Sequence, residues 1–441
     1  MQKIGSNIFA SLNQITQKPG VQAVADQAII SGLNFLTFLL LARWMDVAAF
    51  GQYILAFSAV VFLQSIQHAL LTRAHNVLGA NALKSDEYQA LTRITFQLVV
   101  GFSAVSTMIF VGLGLLVSAF NLAAWSEAFF ALAIVSIPWL IQDAVRRVLY
   151  TSERIGSAVV NNFICYGSQV LLFVVLFASD FPITITLVFV VLGASSLLAS
   201  VVGVWQLKNT FSGFFSIDAS FRQTTSKIWN FGKWLVSGEC IGWVGQNGST
   251  WIIGAFMGAP LVAGYRASTY VTNLLNPLDL SISNFIPVKA AKIASEKGRP
   301  AMLKWLKEQA LLYCTLYAVL VLGISIGSIY LLDLFFDARY VTELFALVLA
   351  ISAVGRFMGF VANFSRLGLI ATENTRSIMV SQILSLAVFG TVSIGLIAWL
   401  GITGAPLARI VLHMVVGAYL TSTLLKKEDT LLVHQKDGVS A

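Results

Sequence analysis

Two stretches, half a chain apart, decide the fold. Residues 146–153 read Arg-Arg-Val-Leu-Tyr-Thr-Ser-Glu, and residues 366–373 read Arg-Leu-Gly-Leu-Ile-Ala-Thr-Glu. Both fit the pattern Arg-x-x-Leu-x-x-Ser/Thr-Glu, 220 positions apart in a chain of 441 residues. A looser echo pairs Phe50-Gly51-Gln52-Tyr53 with Ala263-Gly264-Tyr265-Arg266. Two matches in the same order predict that the chain contains a parallel duplication.

The composition around these stretches is that of a polytopic membrane protein. Hydrophobic residues make up 57% of the chain and charged residues only 11%, and the mean hydropathy is +0.81. A soluble domain carries roughly 25% charged residues, which it needs to cover its surface. Lipid removes that need, because the outer face of a membrane protein is as apolar as its core. The three cysteines lie in separate apolar segments, so they indicate buried side chains and neither a disulfide framework nor a metal site.

Twelve segments are long and apolar enough to cross a bilayer, for which roughly 20 residues are required. The predicted fold class is therefore an all-α integral membrane protein with about twelve transmembrane helices in two parallel-repeat six-helix halves around a central cavity. The predicted spans are 21–43, 52–73, 94–118, 124–145, 157–179, 182–205, 230–254, 261–287, 308–332, 342–365, 377–400 and 404–424.

The spans group into five predicted regions. These are a cytoplasmic N-terminal segment (1–20), an N-terminal six-helix half (21–205), a cytoplasmic linker (206–229), a C-terminal six-helix half (230–424) and a cytoplasmic tail (425–441). The first twenty residues are polar and lack the pattern of a cleavable signal peptide.

Lys and Arg residues alternate between loops, which predicts the orientation. The connection at 288–307 holds six of them, whereas the loops expected outside hold little beyond Arg339. This pattern predicts that both termini lie in the cytoplasm. The net charge of +8 follows from the same alternation, so it does not indicate a nucleic-acid partner.

Polar residues in the first two spans are candidates for function, because ionised groups inside a membrane are costly. Asp26 lies beside a face formed by Gln27, Ser31 and Asn34. It is predicted either to couple transport to a proton or cation or to form a salt bridge to an arginine such as Arg73 or Arg146. On the second span, Gln64, Gln67 and His68 favour helix–helix hydrogen bonding, with a proton or phosphate contact open for the histidine.

The second half carries its own polar residues. Glu239 and Arg356 lie at comparable depth, and they either pair with each other or line a cavity. Arg266, Thr269, Asn273 and Asn276 form one helical face, which Pro277 interrupts. Arginine binds phosphate bidentately, so this face suits an anionic headgroup bearing sugar hydroxyls. The alternative for Arg266 is that it reaches the outer interface.

The candidate site residues fall into two groups. The ion-coupling candidates are Asp26 and Glu239. The substrate-binding candidates are Arg266, Thr269, Asn273, Asn276, Arg356, His68, Gln64 and Asn34.

Motifs of soluble enzymes are missing from the sequence. It contains no Walker-type loop, no His or Cys pairing at metal spacing and no Gly-x-Ser-x-Gly. The chain is therefore predicted to be a non-enzyme without a cofactor, driven by a proton or sodium gradient, by a partner or by the substrate's own gradient.

The chain resembles the multidrug/oligosaccharidyl-lipid/polysaccharide exporter superfamily, and more narrowly its polysaccharide transporters of the O-antigen flippase type. The motifs concerned are Leu41-Ala42-Arg43-Trp44 followed by Phe50 to Tyr53, the counterpart from Gly258 to Tyr265, and the two Arg-to-Glu stretches. The resemblance implies movement of undecaprenyl-pyrophosphate-linked oligosaccharide between leaflets by alternating access. It also implies work beside a polysaccharide polymerase and glycosyltransferases. Lipid II flippases of the superfamily have two additional helices, which argues against that branch.

Other classes stay open. An ion-coupled multidrug or small-molecule antiporter of the same superfamily would need acidic residues in its N-terminal half, where Asp26 is the clear buried acid. A polysaccharide polymerase or ligase would need a large outside loop, and a scaffold would not need buried charges.

Overall fold

The computed structural model describes residues 19–82, 86–121, 123–208 and 220–426. These residues are helical almost throughout, and no strand occurs among them, which confirms the all-α prediction. Residues 1–18 of the predicted N-terminal segment, 209–219 of the linker and 427–441 of the tail lie outside the described residues.

Nine helices lie among the described residues up to Met257. Two pairs of them are joined through a short π-helical turn: α2 continues through His68–Thr72 into α3, and α6 continues through Phe163–Gly167 into α7. Their bounds are α1 Pro19–Trp44, α2 Val47–Gln67, α3 Arg73–Ala82, α4 Asp86–Ala119, α5 Ala123–Thr151, α6 Ile155–Asn162, α7 Ser168–Ala178, α8 Ile185–Gln206 and α9 Ser220–Met257.

Seven helices follow. A 3-10 turn at Thr272–Leu275 separates α10 from α11, as the position of Pro277 predicts, and a π-helical turn at Phe389–Ser393 separates α14 from α15. Their bounds are α10 Ala259–Val271, α11 Asn276–Ile326, α12 Ser328–Phe335, α13 Glu343–Ala371, α14 Thr375–Val388, α15 Ile394–Leu400 and α16 Gly404–Leu425.

The helices account for the twelve predicted spans. Among the described residues, nine stretches are long and apolar enough to cross a membrane, and two of them, Ala259–Ile326 and Arg376–Leu425, contain 68 and 50 residues. As one straight helix, with a rise of 1.5 Å per residue, the longer stretch would be about 100 Å long, more than three times the roughly 30 Å hydrocarbon core. Positive backbone φ angles at Gly298 (80°) and Gly401 (66°) break these stretches, so each supplies two spans. The polar helix α9, 38 residues long, supplies the remaining one.

The repeated Arg-to-Glu stretches form the same backbone structure. Helices α5 and α13 both contain 29 residues, and both ends of α13 lie 220 positions after those of α5. After each helix a glutamate, Glu153 or Glu373, adopts a left-handed conformation with φ of 59° or 57°. The three closing bonds also correspond: 152 N to 148 O, 153 N to 150 O and 154 N to 149 O reappear as 372 N to 368 O, 373 N to 370 O and 374 N to 369 O.

The looser sequence match also corresponds to a shared structural feature. Its two glycines, Gly51 and Gly264, both lie where an added Cβ would overlap a neighbouring residue. The neighbour of Gly51 is the backbone of Ala259, and that of Gly264 is the ring of Phe345. Each glycine lies near the start of the second span of its predicted half.

The described contacts divide the chain into two compact units, 1–263 and 264–441. Unit 1 includes α9, which packs antiparallel along α2. Trp251 Nε1 donates to Ser58 Oγ (2.9 Å), Trp243 Nε1 donates to the Ser58 carbonyl (3.1 Å), and Gly232 lies against Leu70. The six-helix halves proposed from sequence divide the chain before α9 and stay a prediction.

Candidate functional site

Asp26 lies in a hydrogen-bonded network inside unit 1. Its side chain is only 2% exposed, and its carboxylate accepts hydrogen bonds from the Tyr150 hydroxyl and from Asn162 Nδ2 (2.7 Å). Gln142 Nε2 in turn donates to Asn162 Oδ1 (3.3 Å). The carboxylate therefore joins α1 to α5 and α6 through neutral groups, and it forms no salt bridge with any residue that the structure describes.

The arginines proposed as partners of Asp26 bind other carboxylates. Arg146 lies 3.1 Å and Arg147 3.6 Å from the buried carboxylate of Asp143 on the same helix. Gln64 hydrogen-bonds Asp143 and also accepts from Trp139 Nε1 at 3.0 Å. Half-buried His68 lies within the electrostatic field of this cluster. Asn34 of α1 hydrogen-bonds Tyr166 of the turn after α6.

Glu239 is also paired inside unit 1. Its carboxylate lies 2.7 Å from the Arg73 guanidinium, and the side chains are 27% and 40% exposed. This pair links α9 to the start of α3. Both side chains of this pair are therefore only partly buried.

Arg356 organises the polar residues of unit 2. Its guanidinium donates to Tyr317 Oη (3.2 Å), Asn273 Oδ1 (3.3 Å), Asn276 Oδ1 and Asp279 Oδ2 (2.6 Å). Three of the acceptors, Asn273, Asn276 and Asp279, lie where α10 gives way to α11, with Pro277 in the first turn of α11. Arg356, Asn273 and Asn276 are thus brought together as one cluster.

The other members of the predicted α10 face behave differently. Thr269 donates to the carbonyl of Tyr265 in its own helix (2.9 Å). Arg266 makes no ion pair with any described residue, its Nε is buried without an acceptor, and nearby Arg409 of α16 opposes its charge. His413 is also close to Arg409. Unit 2 therefore contains a cluster of basic groups, Arg266, Arg409 and His413, without an acidic partner among the described residues.

Two cavities open on α9. One, of about 170 Å³, is apolar, and the other, of about 570 Å³, is lined by polar and basic side chains. The apolar cavity is lined by Leu70, Leu71, Leu98, Phe102, Thr225, Ile228 and Trp229, and the polar one by Arg222, Gln223, Ser226, Lys227 and Asn230.

Sequence reasoning missed several partners. Asp143 lies three residues before Arg146, the first residue of the quoted stretch, and this spacing allows an ion pair on a helix. Asp279 lies three residues after Asn276, on the same helical face. Asn162 and Tyr317 gave no such signal, because their partners are distant in the chain.

Comparison with solved structures finds proteins of similar architecture. An inward-facing multidrug resistance MATE family transporter of the MOP superfamily matches with a TM-score of 0.71 and 12% identity, over 92% of this chain and 98% of the other. The lipid II flippase MurJ, in an inward closed conformation, matches with a TM-score of 0.69 and 13% identity, over 92% and 87%. This chain has the fold of MOP superfamily transporters.

A third match bears on pocket chemistry. A MOP superfamily transporter from Pyrococcus furiosus, described as having a binding pocket of reversed polarity, matches with a TM-score of 0.58 and 11% identity, over 92% of this chain and 94% of the other. No family model and no curated protein matches the sequence. The identities are low, so the likeness establishes the fold of a multi-pass membrane protein and leaves the substrate undetermined.

Proposed function

We propose that this protein is a flippase that moves undecaprenyl-pyrophosphate-linked oligosaccharide from the cytoplasmic to the outer leaflet by alternating access. The observation that carries the proposal is the imbalance between free basic and free acidic groups at membrane depth. The oligosaccharide that we propose it carries is a repeat unit of O-antigen, capsule or exopolysaccharide.

The acidic groups are occupied. Asp143, Glu239 and Asp279 each lie within 3.1 Å of an arginine, and Asp26 is held by a tyrosine and an amide. A site for a cationic drug needs an available carboxylate, because burying a cation without a counter-charge is costly. In this state, none of these four carboxylates is available without first breaking its own contacts.

Two basic groups of unit 2, Arg266 and Arg409, form no ion pair with a described residue. Arg266 and Arg409 repel each other and have no carboxylate partner among the described residues. An anion that bound there would relieve the repulsion and would gain charge-assisted hydrogen bonds. A pyrophosphate supplies the required negative charge, and amides such as Asn273 and Asn276 suit the hydroxyls of a glycan once Arg356 releases them.

Ion coupling through Asp26 or Glu239 is part of the proposal. Protonation or cation binding at Asp26 would compete with the hydrogen bonds from Tyr150 and Asn162 and so would loosen α1 from α5 and α6. At Glu239 it would compete with Arg73. Either step changes which helices are held together, as coupling by alternating access requires.

The proposed setting is the bacterial cytoplasmic membrane with both termini inside. There the proposed partners are the polyprenyl-linked glycan, the bilayer and, for later steps, a polysaccharide polymerase and glycosyltransferases. The apolar cavity beside α9 would accept part of a lipid chain.

The test is the sidedness of lipid-linked glycan in membrane vesicles of the native strain, with and without the gene. We expect the glycan to stay on the cytoplasmic leaflet without the protein and to reach the outer leaflet when the protein is restored. Arg266→Gln and Arg409→Gln should reduce the transfer, whereas Arg376→Gln, at an exposed arginine outside the cluster, should not. Sidedness that does not depend on the protein would contradict the proposal.

The second candidate is an ion-coupled multidrug or small-molecule antiporter, which the likeness to the MATE transporter favours. In that case the strain without the protein would accumulate cationic dyes and show unchanged glycan sidedness. Asp26→Asn would then abolish dye export, and Arg266→Gln would leave it intact.

A further inference from the structure

The duplication aligns two positions whose chemistry differs. Because the two helices and their closing bonds correspond at a constant offset, Asp143 of α5 matches Asn363 of α13, and Arg146 matches Arg366. The two copies therefore present the same arginine beside a carboxylate in one case and beside an amide in the other.

In the first copy the arginine is paired with a carboxylate. Asp143 is 1% exposed and lies 3.1 Å from the Arg146 guanidinium, with Arg147 at 3.6 Å. The carboxylate offsets one of the two positive charges and occupies Arg146 Nη2, a terminal nitrogen that a phosphate oxygen would otherwise contact.

In the second copy the arginine keeps its charge. Arg366 Nε donates to Asn363 Oδ1 (2.9 Å), and Asn363 Nδ2 donates to Ser283 Oγ of α11 (3.3 Å). The Arg366 side chain is exposed, and among the described residues its terminal nitrogens have no acceptor and no carboxylate forms an ion pair with it. The amide and hydroxyl thus orient the guanidinium while two parallel N–H groups remain open.

We infer that Arg366, oriented by Asn363 and Ser283, binds the pyrophosphate of the transported lipid at the predicted cytoplasmic end of α13. The inference rests on the proposed function, because it adds a second contact for the pyrophosphate of that substrate, apart from the cluster of Arg266 and Arg409. A guanidinium with open terminal nitrogens matches phosphate oxygens in bidentate geometry. Asn363 holds the guanidinium through Nε, whereas Asp143 occupies the terminal Nη2 of Arg146, so Arg366 keeps both of its terminal nitrogens open.

The alternative is that Arg366 serves only as a cytoplasmic anchor that orients the helix. Two variants separate these roles. Arg366→Lys keeps the positive charge on which orientation depends but removes the bidentate fork. Asn363→Asp recreates the pair of the first copy, and an added acidic residue has little influence on orientation.

The experiment measures binding of farnesyl pyrophosphate, inorganic pyrophosphate and farnesol to the purified full chain in nanodiscs. We expect the wild-type protein to bind farnesyl pyrophosphate and both variants to bind it about tenfold more weakly or worse. Arg376→Lys, a matched change at another exposed arginine, should bind it normally. Tighter binding of farnesyl pyrophosphate than of inorganic pyrophosphate would indicate a lipid-linked ligand, and equal binding a site for pyrophosphate alone.

Unchanged affinity in both variants, no binding by the wild-type protein, or equal binding of farnesol would overturn the site. Vesicle sidedness measured with and without the wild-type protein tests the proposed function separately. If sidedness depends on the protein but the variants bind farnesyl pyrophosphate with unchanged affinity, only the proposed site is refuted. If the variants bind more weakly but sidedness does not depend on the protein, only the proposed flippase function is refuted.

Discussion

The contact between Arg356 and Asp279 provides a quantitative test of the unit 2 cluster. The two groups are 2.6 Å apart, and their side chains are 23% and 30% exposed. Exposed ion pairs contribute about 0–1 kcal/mol, whereas breaking a fully buried pair costs about 3–5 kcal/mol. With intermediate exposure, and with Asn273, Asn276 and Tyr317 still accepting from the guanidinium, we expect Asp279→Asn to cost about 2 kcal/mol.

A double-mutant cycle isolates the pair from its surroundings. It requires Asp279→Asn, Arg356→Met and the double variant, with the free energy of unfolding of each measured by titration of mixed micelles with denaturing detergent. Because the asparagine keeps the shape of the side chain, the cycle reports mainly on the charge interaction. We expect a coupling energy of about 1–2 kcal/mol, so the double variant should be less destabilised than the sum of the single variants.

The reasoning would be refuted by a coupling energy within the additivity error of about 0.3–0.5 kcal/mol. That result would mean that Asp279 and Arg356 are each solvated independently and that Arg356 is held by its neutral acceptors. Arg356 would then be available to an anionic substrate without breaking an ion pair.

Three further predictions concern helix packing and caps, all measured as changes in unfolding free energy unless stated. Gly51→Ala should cost about 1–3 kcal/mol, because the added methyl would overlap a backbone carbonyl, whereas Gly112→Ala, which has nothing within 4 Å of its added Cβ, should be neutral or slightly stabilising; equal effects would contradict this. Ser58→Ala should cost about 1–3 kcal/mol and alter tryptophan fluorescence, because the Trp251 N–H loses its acceptor; an unchanged spectrum would argue against the bond. Glu373→Gly should stabilise by roughly 1 kcal/mol, because glycine adopts a positive φ without the steric cost; destabilisation would show that the glutamate side chain matters more than its backbone.

The repeated caps illustrate how far sequence reasoning reached into backbone structure. A pattern of four shared positions located two helix ends that share the same bond pattern. Such agreement is expected because a helix end depends on a few adjacent residues, which a linear pattern records. The same reasoning gave no information on Asn363, whose difference from Asp143 became visible only when the two helices were aligned by their caps.

The structure brings together only some of the polar residues that the sequence singled out. Asn273, Asn276 and Arg356 are brought together, and Asp26 and Glu239 are engaged in contacts, but none of the partners proposed for the charged residues is the one that forms. Arg73 binds Glu239, and Arg356 binds Asp279. Their assignment as substrate-binding or ion-coupling residues stays a prediction.

The sequence alone determined the membrane class, the twelve spans and the position of the repeat, because hydropathy and helix length are local properties of a segment. Only the tertiary structure decided which buried charges are neutralised and which remain open. Asp26 and Asn162 are 136 residues apart, and Arg356 and Asp279 are 77 apart. Coulomb and hydrogen-bond energies depend on separations of a few ångströms, and packing between distant helices sets those separations.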